Sequence, residues 1–327
     1  MILRTGIFLA LTVVGTWLLP AQPAAVQQLQ NTRLLQQIKA SDLTLAAGTN
    51  APDLFVGEHE DVGPQRILRV KPRHTWFDVV LDTQFFYSDN ANFDVAARAI
   101  GSGVFVNTAQ AAINPPAAKI GAGDLSGTLG FSSQWYNYDQ TRLVPLDFNA
   151  HIVFLNGRYV LQNWQFGLGL NATRLLNQSD NAETYRELMP NFGIQYTIPL
   201  HDRVFLSLGN LVDYHLTEVP EQPGTRADVN DRLENITSVT LTWVATSHFV
   251  VQPYYRFLYS HYERDTLGNT DRTDHVHSVG IMAAYYFNDH LSLRAFFNYN
   301  RKQSDDRFTP DYRELNGGGG LSLDWKF

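Results

Sequence analysis

The sequence predicts an all-β fold, a transmembrane antiparallel up-and-down β-barrel of about twelve strands. From Thr75 to the last residue, apolar and polar residues alternate with a period of two, as on the two faces of a strand. No apolar run after residue 20 approaches the roughly 20 residues that a membrane-spanning helix needs. Short connections also alternate with long ones, which is typical of a membrane barrel with short periplasmic turns and long extracellular loops.

Composition excludes several classes of protein. The 327 residues carry 25 Lys and Arg against 32 Asp and Glu, so the net charge of −7 offers no basic surface for nucleic acid. The absence of Cys excludes disulfide frameworks and thiolate metal sites. Aromatic residues make up 13% of the chain, and a membrane protein uses such amphipathic rings at the headgroup boundary.

The chain before the strands divides into two segments. Residues 1–25 have one basic residue, Arg4, then the apolar run Ile7–Leu19 and several small residues, which is the pattern of a secretory signal peptide. The alternative is an uncleaved N-terminal anchor. Residues 26–74 are Gln-rich and then rich in Pro and Gly, with too few large apolar side chains for a core of their own. We expect a periplasmic leader or a segment that folds back as a plug.

Residues 75–327 form the predicted barrel, with the apolar face of each strand toward lipid. In the first strand Phe77, Leu81 and Phe85 alternate with Asp78 and Asp82, and the same alternation recurs to the end of the chain. The apolar faces of eleven strands fall, in order, within Phe77–Tyr87, Leu125–Trp135, Phe148–Phe154, Trp164–Leu170, Phe192–Ile198, Val204–Tyr214, Leu233–Trp243, Phe249–Tyr259, Val279–Phe287, Leu291–Tyr299 and Leu315–Phe327.

A weaker twelfth strand fits Gly103–Ile113, and an even number of strands puts both termini in the periplasm. Pro190 and Pro253 fall inside predicted strands, where a missing N–H breaks a ladder bond. A β-bulge at each proline, or a different strand boundary, would reconcile them with the pattern.

A soluble β-sandwich is the alternative for a chain of alternating strands. The polar faces of a sandwich meet bulk water and carry many Lys and Glu, whereas the polar faces here hold mostly Ser, Thr, Asn, Gln, Gly and Asp. Aromatic residues also gather at both ends of the strands, with Trp164 and Trp243 beside short turns and Tyr87 and Tyr299 near long loops. Two aromatic girdles of this kind favour the membrane barrel.

The last strand ends in LSLDWKF, with Leu321, Leu323, Trp325 and Phe327 on one face. This ending resembles the C-terminal signal of Gram-negative outer-membrane barrels, which the barrel-assembly machinery reads, although Ser322 stands where that signal usually has Gly. The strand region as a whole resembles the β-barrel porins. The resemblance implies an outer-membrane location, with outer-membrane lipid, lipopolysaccharide and the barrel-assembly machinery as partners.

The polar faces supply the candidate functional residues. A barrel of about eight strands is filled by its side chains and one of about sixteen holds a water channel. Twelve strands lie between, which predicts either a narrow pore or a lumen constricted by long side chains or by residues 26–74. Asp274, Asp324 and Lys326 fall on the inward face together with the residues predicted to line the lumen. That set is Asp78, Asp82, Gln134, Asp147, Glu187, Asp213, Arg232, Glu234, Arg256, Arg294 and Glu314.

Acids outnumber bases in this set, which predicts a mild preference for cations, because a low-dielectric wall focuses the field. The alternative is that these charges pair and hold the lumen together. We expect a porin-like channel for passive transport of small polar solutes or ions. The alternatives are a structural or surface-recognition barrel with an occluded lumen, an export or autotransporter-like barrel, and an outer-membrane lipid hydrolase.

No catalytic constellation is found. His275 and His277 share one side of a strand, but no Ser/His/Asn motif accompanies them. Gly167-x-Gly169-x-x-Ala172 matches a dinucleotide fingerprint only as a string, because no helix follows it to hold a pyrophosphate. We therefore expect no enzymatic activity, no cofactor and no metal.

Overall fold

The computed structural model describes residues 74–220, 226–263, 271–306 and 309–327, so the predicted signal peptide and the leader up to residue 73 lie outside the described residues. In this part of the chain the one helix is a 3-10 turn at Val144–Leu146, and no helix is long and apolar enough to cross a membrane. Thirteen strands follow one another: β1 Phe77–Ser88, β2 Ser102–Ile113, β3 Ala118–Ile120, β4 Gly123–Tyr138, β5 Phe148–Leu161, β6 Trp164–Asn177, β7 Glu183–His201, β8 Val204–Glu218, β9 Arg232–Thr246, β10 Phe249–Tyr262, β11 Thr273–Tyr286, β12 Leu291–Ser304 and β13 Tyr312–Lys326.

Twelve of these strands close into one antiparallel barrel. Each long strand pairs with the next along the chain, β2 pairs directly with β4, and β1 pairs with β13 to complete the circle. The three-residue β3 is an addition to the edge of β4. The predicted fold class and strand number are therefore confirmed, including the weak strand that follows β1.

The two faces of the wall differ as the period of two predicts. In β1, Leu81 and Phe85 are 43% and 50% exposed, whereas Asp82 and Gln84 between them are 7% and 5% exposed. Among the residues that the structure describes, no element covers the outer wall of the barrel, so a buried strand side chain points to the interior. The wall is apolar outside and polar inside, the reverse of a soluble protein and the arrangement that a lipid environment favours.

Long and short connections lie at opposite ends of the barrel. One end, called the loop end below, carries the connections 89–101, 139–147, 178–182, 219–231, 263–272 and 305–311. The opposite end carries the two-residue turns 162–163, 202–203 and 247–248, the turn 287–290 and the segment 114–122 that contains β3. The alternation predicted from sequence is confirmed. The assignment of the loop end to the cell exterior stays a prediction.

Both strand prolines are accommodated without a bulge. Pro190 pairs with Leu170 of β6, but the β7–β8 ladder has no pair at Met189 or Pro190. Pro253 pairs with Ile281 of β11, and the β9–β10 ladder has no pair at Gln252 or Pro253. The register is the same on both sides of each gap, so the missing N–H groups interrupt one ladder while the strands continue unbroken.

In the half of β5 nearest the loop end, the inward and outward faces are the reverse of those predicted from sequence. Phe148, Ala150 and Ile152 are buried inside the barrel, whereas Val153 and Leu155 are 49% and 54% exposed on the outer wall. The prediction that the Phe148 face meets lipid is wrong, because the polar residues Asn149 and His151 lie on the outer face here and the interior beside this strand is itself apolar. The inward residues belong to a buried apolar group, called the loop-end cluster: Phe86, Ala91, Val104, Val106, Tyr136, Tyr138, Leu143, Phe148, Ala150, Ile152, Leu175, Tyr185, Val219, Val229, Met282 and Phe296.

Barrel closure depends on a close approach at Gly318. A Cβ there would lie 2.2 Å from the Phe85 carbonyl oxygen and 2.4 Å from the Phe86 Cα. Gly318 is paired with Phe86 on one side and Phe296 on the other, and the rings of these two residues meet at 5.8 Å. A side chain at residue 318 would push β13 away from β1.

We expect Gly318→Val to abolish or strongly slow barrel closure, because the nearest atoms are backbone and cannot rotate away. The measurement is the fraction of refolded protein with heat-modifiable mobility on a gel. Gly127→Ala is the matched control, since a Cβ at Gly127 meets only the Asn156 carbonyl oxygen, at 3.8 Å. Equal refolding of the two variants would contradict this account of closure.

Candidate functional site

The interior wall of the barrel is the candidate site. Period-two strands place most of the predicted lumen residues there, and the charged ones lie mainly in the half of the barrel near the loop end. Arg294 also reaches the interior, where it pairs with Asp82, and Asp78 is partly buried on the same face of β1. The fully buried members of the predicted set are Asp82, Gln134, Glu187, Asp213, Arg232, Glu234, Arg256 and Glu314.

Asp147 is the exception. It lies in the connection before β5, where its carboxylate accepts hydrogen bonds from the Tyr138 backbone N–H at 2.9 Å and from Asn137 Nδ2 at 3.4 Å. Burial raises the pKa of this carboxyl, while the two hydrogen bonds act in the opposite direction. The structure thus places Asp147, which is predicted from sequence to line the lumen, outside the strands. Asp147 ties the ends of two strands together at the rim.

Four side chains from three adjacent strands form a buried charge network. His215 of β8 lies between two acids, with Nδ1 3.0 Å from Glu187 of β7 and Nε2 3.2 Å from Glu234 of β9. Arg232 of β9 donates from Nε to Glu234 at 2.6 Å, and its Nη2 lies 3.1 Å from His215 Nδ1. All four side chains are at most 4% exposed. Such closely paired charges are held in place by one another.

Two members of this network, together with the buried Asp213 of β8, have the chemistry of metal ligands. Asp213, His215 and Glu234 each offer one atom, and the three atoms lie within 4.8 Å of one another. A carboxylate and imidazole set of this kind suits a divalent transition metal. Arg232, however, already places its positive charge against Glu234 and His215. A cation at this position would have to displace the guanidinium, so the network is better explained as a protein ion cluster.

A second group of charges lies on β11 and β12. Asp274 is in contact with Arg272 and lies 2.9 Å from the Lys302 ammonium. On the next strand, β13, Glu314 accepts hydrogen bonds from Ser88 of β1 at 2.8 Å and from Asn300 of β12 at 2.8 Å. The acids of the inner wall are therefore largely satisfied by neighbours on adjacent strands.

Arg256 differs from the other interior cations. It is 4% exposed, and its guanidinium lies over the Tyr254 ring at 5.8 Å from the centroid. Among the described residues, its Nη1 has no hydrogen-bond acceptor and no carboxylate lies within ion-pair distance. The structure thus leaves one positive charge of the inner wall without an acid.

The inner wall also contains residues that sequence reasoning missed. His215 and Lys302 are buried there at 1% and 8% exposure, although neither was predicted. The parity of their strands was the available signal, because Asp213 precedes His215 by two residues and Asn300 precedes Lys302 by two. Inward tyrosines such as Tyr185 and Tyr254 gave no such signal, since an aromatic residue suits either face.

Apolar side chains narrow the interior at the loop end. Tyr136 and Phe148 stack with ring centroids 4.3 Å apart, and both are at most 3% exposed. Residues of the connections join them in the loop-end cluster, among them Leu143, Val219 and Val229. The loops therefore fold over the barrel mouth and pack against its inner wall.

The two histidines singled out from sequence lie on the other side of the wall. His275 and His277 alternate with the buried residues Asp274, Val276 and Ser278, so they face outward. The Tyr255 hydroxyl lies 2.8 Å from His277 Nδ1. Their position separates them from the interior charge networks. Of the four residues of the predicted C-terminal assembly signal, Leu321, Leu323 and Trp325 share the outward face of β13 and Phe327 follows its last residue; Leu321 and Phe327 are 44% and 67% exposed.

Comparison with known proteins identifies the fold. No protein family model matches the chain, and no curated protein matches it. An outer membrane channel from Pseudomonas putida superposes with a TM-score of 0.51 at 9% identity, covering 77% of this chain and 96% of that one. The NanC porin reaches 0.43 at 12% identity, covering 74% and 98%, and the β domain of the Bordetella autotransporter Brka reaches 0.43 at 13%, covering 77% and 100%. At these identities the first likeness establishes the barrel fold alone, and the other two carry no argument.

Proposed function

We propose that this chain is an outer-membrane, porin-like channel for passive transport of small polar solutes or ions. One observation carries the proposal: a closed barrel of twelve strands has an apolar outer wall and a polar, charged inner wall. In a lipid bilayer such a wall places its polar groups around a hydrated path. The proposal assigns no catalytic activity to the chain.

The outer-membrane location is part of the proposal. The lipid-facing apolar residues and the C-terminal strand with Leu321, Leu323 and Trp325 on its outer face, followed by Phe327, support insertion by the barrel-assembly machinery. Export through the N-terminal signal peptide and contact with outer-membrane lipid and lipopolysaccharide follow from that location. The long connections then face the cell exterior.

Cation preference is expected to be weak. Asp82 contacts Arg294, Glu234 contacts Arg232, and Asp274 lies between Arg272 and Lys302. Because opposite charges at such short distances largely cancel, few of the acids act on a passing ion individually. The unpaired Arg256 reduces the preference for cations further.

Asp82→Asn tests this view of selectivity. The change leaves the Arg294 guanidinium without its carboxylate, so we expect the reversal potential in a KCl gradient to shift toward anion preference. Asp202→Asn is the control, because this substitution makes the same change in net charge at an exposed residue in the turn between β7 and β8. The selectivity argument fails if both variants shift the potential equally.

A second function has its own supporting observation. The loop-end cluster packs residues of three connections against the inner wall, and Tyr136 and Tyr185 within it are at most 1% exposed. If the cluster closes the lumen, the barrel would serve a structural function or recognise a partner through its loops. The two functions differ in whether the folded protein conducts.

Single-channel recording in a planar bilayer decides between them, using the mature chain and a chain that starts near His74. Discrete conductance steps from the mature chain are the expected result. Steps from the shortened chain alone would make residues 26–73 a plug. Silence from both chains, with folding established by heat-modifiable gel mobility, would overturn the channel and leave the loop-based function.

A further inference from the structure

Three basic residues stand side by side on the outer wall of the barrel. Arg301 of β12 is paired directly with Arg313 of β13 on one side and with His277 of β11 on the other. The next residue after Arg301 and the residue before Arg313, Lys302 and Tyr312, are buried inside. The two arginines therefore point outward, and both are exposed.

Like charges directly opposite each other destabilise a pair of strands. Another pair of arginines on the outer wall shows how the chain relieves this. Arg174 of β6 is paired with Arg186 of β7. Glu183 contacts Arg174 and lies 2.9 Å from Arg186. A second acid, Glu218, lies 3.4 Å from Arg186. The barrel supplies its own acids to neutralise that pair.

The pair formed by Arg301 and Arg313 has no such acid. Within the described ranges, neither guanidinium has a carboxylate at ion-pair distance. Acids do occur at the neighbouring strand ends, but each one accepts a hydrogen bond from the backbone: Asp89 from Leu315, Asp305 from Thr273 and Asp311 from Ser304. Among the described residues, the two opposed charges therefore have no acid of their own, in contrast to Arg174 and Arg186.

The depth of the pair indicates which anion from outside the chain would suit it. Two residues nearer the barrel middle, on the same strands and the same face, are Tyr299 and Leu315, 38% and 39% exposed. Next to them across the ladders lie Val279 and Tyr255, 55% and 41% exposed. Outward-facing aromatic rings mark the boundary of the apolar layer. Arg301 and Arg313 lie two residues closer to the loop end, where this apolar surface ends and lipid headgroups are expected.

We propose that Arg301 and Arg313, with His277 beside them, bind a phosphate group of an outer-leaflet glycolipid. The planar guanidinium group matches phosphate with two parallel hydrogen bonds, and two of them on adjacent strands can hold one phosphate between them. The Tyr255 hydroxyl fixes the His277 ring next to Arg301. This inference rests on the proposed function, because it requires the loop end to face the outer leaflet.

The test measures lipid binding to the purified, refolded barrel by native mass spectrometry. The probes are lipid A with two phosphates, dephosphorylated lipid A, phosphatidylglycerol and inorganic phosphate. The variant is R301Q/R313Q, and the matched control is R174Q/R186Q, which removes an equally placed pair that has its own acids. Heat-modifiable gel mobility establishes that each sample is folded, and R313Q alone replaces the double variant if the latter does not refold.

We expect R301Q/R313Q to weaken binding of the phosphorylated lipid A at least about tenfold, the loss that corresponds to one charge-assisted hydrogen bond. The control should change it by less than about twofold, as for exposed, self-neutralised pairs. Equal losses in the two variants would overturn the proposal. If the wild-type barrel bound dephosphorylated lipid A or phosphatidylglycerol as tightly as phosphorylated lipid A, the assignment of the ligand as a glycolipid phosphate would be overturned. If it bound inorganic phosphate as tightly, the ligand would be a soluble phosphate and the lipid site would be wrong.

The outcome is separable from that of the proposed function. If the wild-type protein conducts while both double variants bind lipid A alike, the lipid site is wrong and the channel stands. If the wild-type protein is silent in the bilayer and R301Q/R313Q still loses lipid A selectively, the channel is wrong and the lipid site stands.

Discussion

Replacing Arg232 by Met is expected to lower the free energy of unfolding by about 3–5 kcal/mol, the cost of breaking a buried ion pair from one side. The Arg232 side chain is 3% exposed and donates to Glu234 at 2.6 Å. Without it, the network keeps the contacts of His215 with Glu187 and Glu234 but loses its guanidinium, while both carboxylates stay inside the barrel. Urea unfolding of the refolded protein in lipid vesicles, followed by tryptophan fluorescence, measures the change.

Arg226→Met is the matched control for this change. Arg226 forms an ion pair with Asp228 at 2.8 Å, but its side chain is 64% exposed and solvent screens the pair, so its loss should leave the free energy of unfolding close to the wild-type value. A double variant R232M/E234L should recover much of the stability lost in R232M, because it removes both charges and fills the space with apolar groups. An Arg232 variant as stable as the control would show that the network does not hold the strands together.

The sequence was sufficient to predict the barrel because one rule determines it. Every spanning strand must present apolar side chains to lipid and polar ones to the interior, so the period of two specifies both the strands and their faces. The rule worked where the two faces differ in polarity, as at Asp82 and Gln84 of β1. It failed at Phe148 and Ile152 of β5, because that part of the interior is itself apolar.

The partners of the interior charges could not be predicted in the same way. Asp82 and Arg294 contact each other although they are 212 residues apart in sequence, and this contact depends on how β13 fits between β1 and β12. Register is set by hydrogen bonding between strands and by the length of each connection, neither of which composition reveals. A count of inward acids and bases therefore suggested a cation preference that the pairing of those charges reduces.

The stacked pair Tyr136 and Phe148 is expected to limit conduction at the loop end. Replacing both by Ala removes two buried rings from β4 and β5, and with them part of the loop-end cluster to which Leu143 and Val229 of the connections belong. Apolar constrictions exclude water and so oppose the passage of ions. We expect the single-channel conductance of Y136A/F148A to rise severalfold above that of the wild-type protein.

Phe131 and Val153 provide the control for this variant, because they lie on the same two strands but face lipid, 47% and 49% exposed. Replacing both by Ala removes side chains from the same part of the wall without widening the interior, so the conductance should stay at the wild-type value. Heat-modifiable mobility identifies the folded fraction of each variant before recording. If the folded Y136A/F148A protein conducts no better than the control, the loop-end cluster is not the narrowest point of the path. If it conducts where the wild-type protein is silent, the cluster closes the lumen, and the loops that complete it are then the element whose movement would open the barrel.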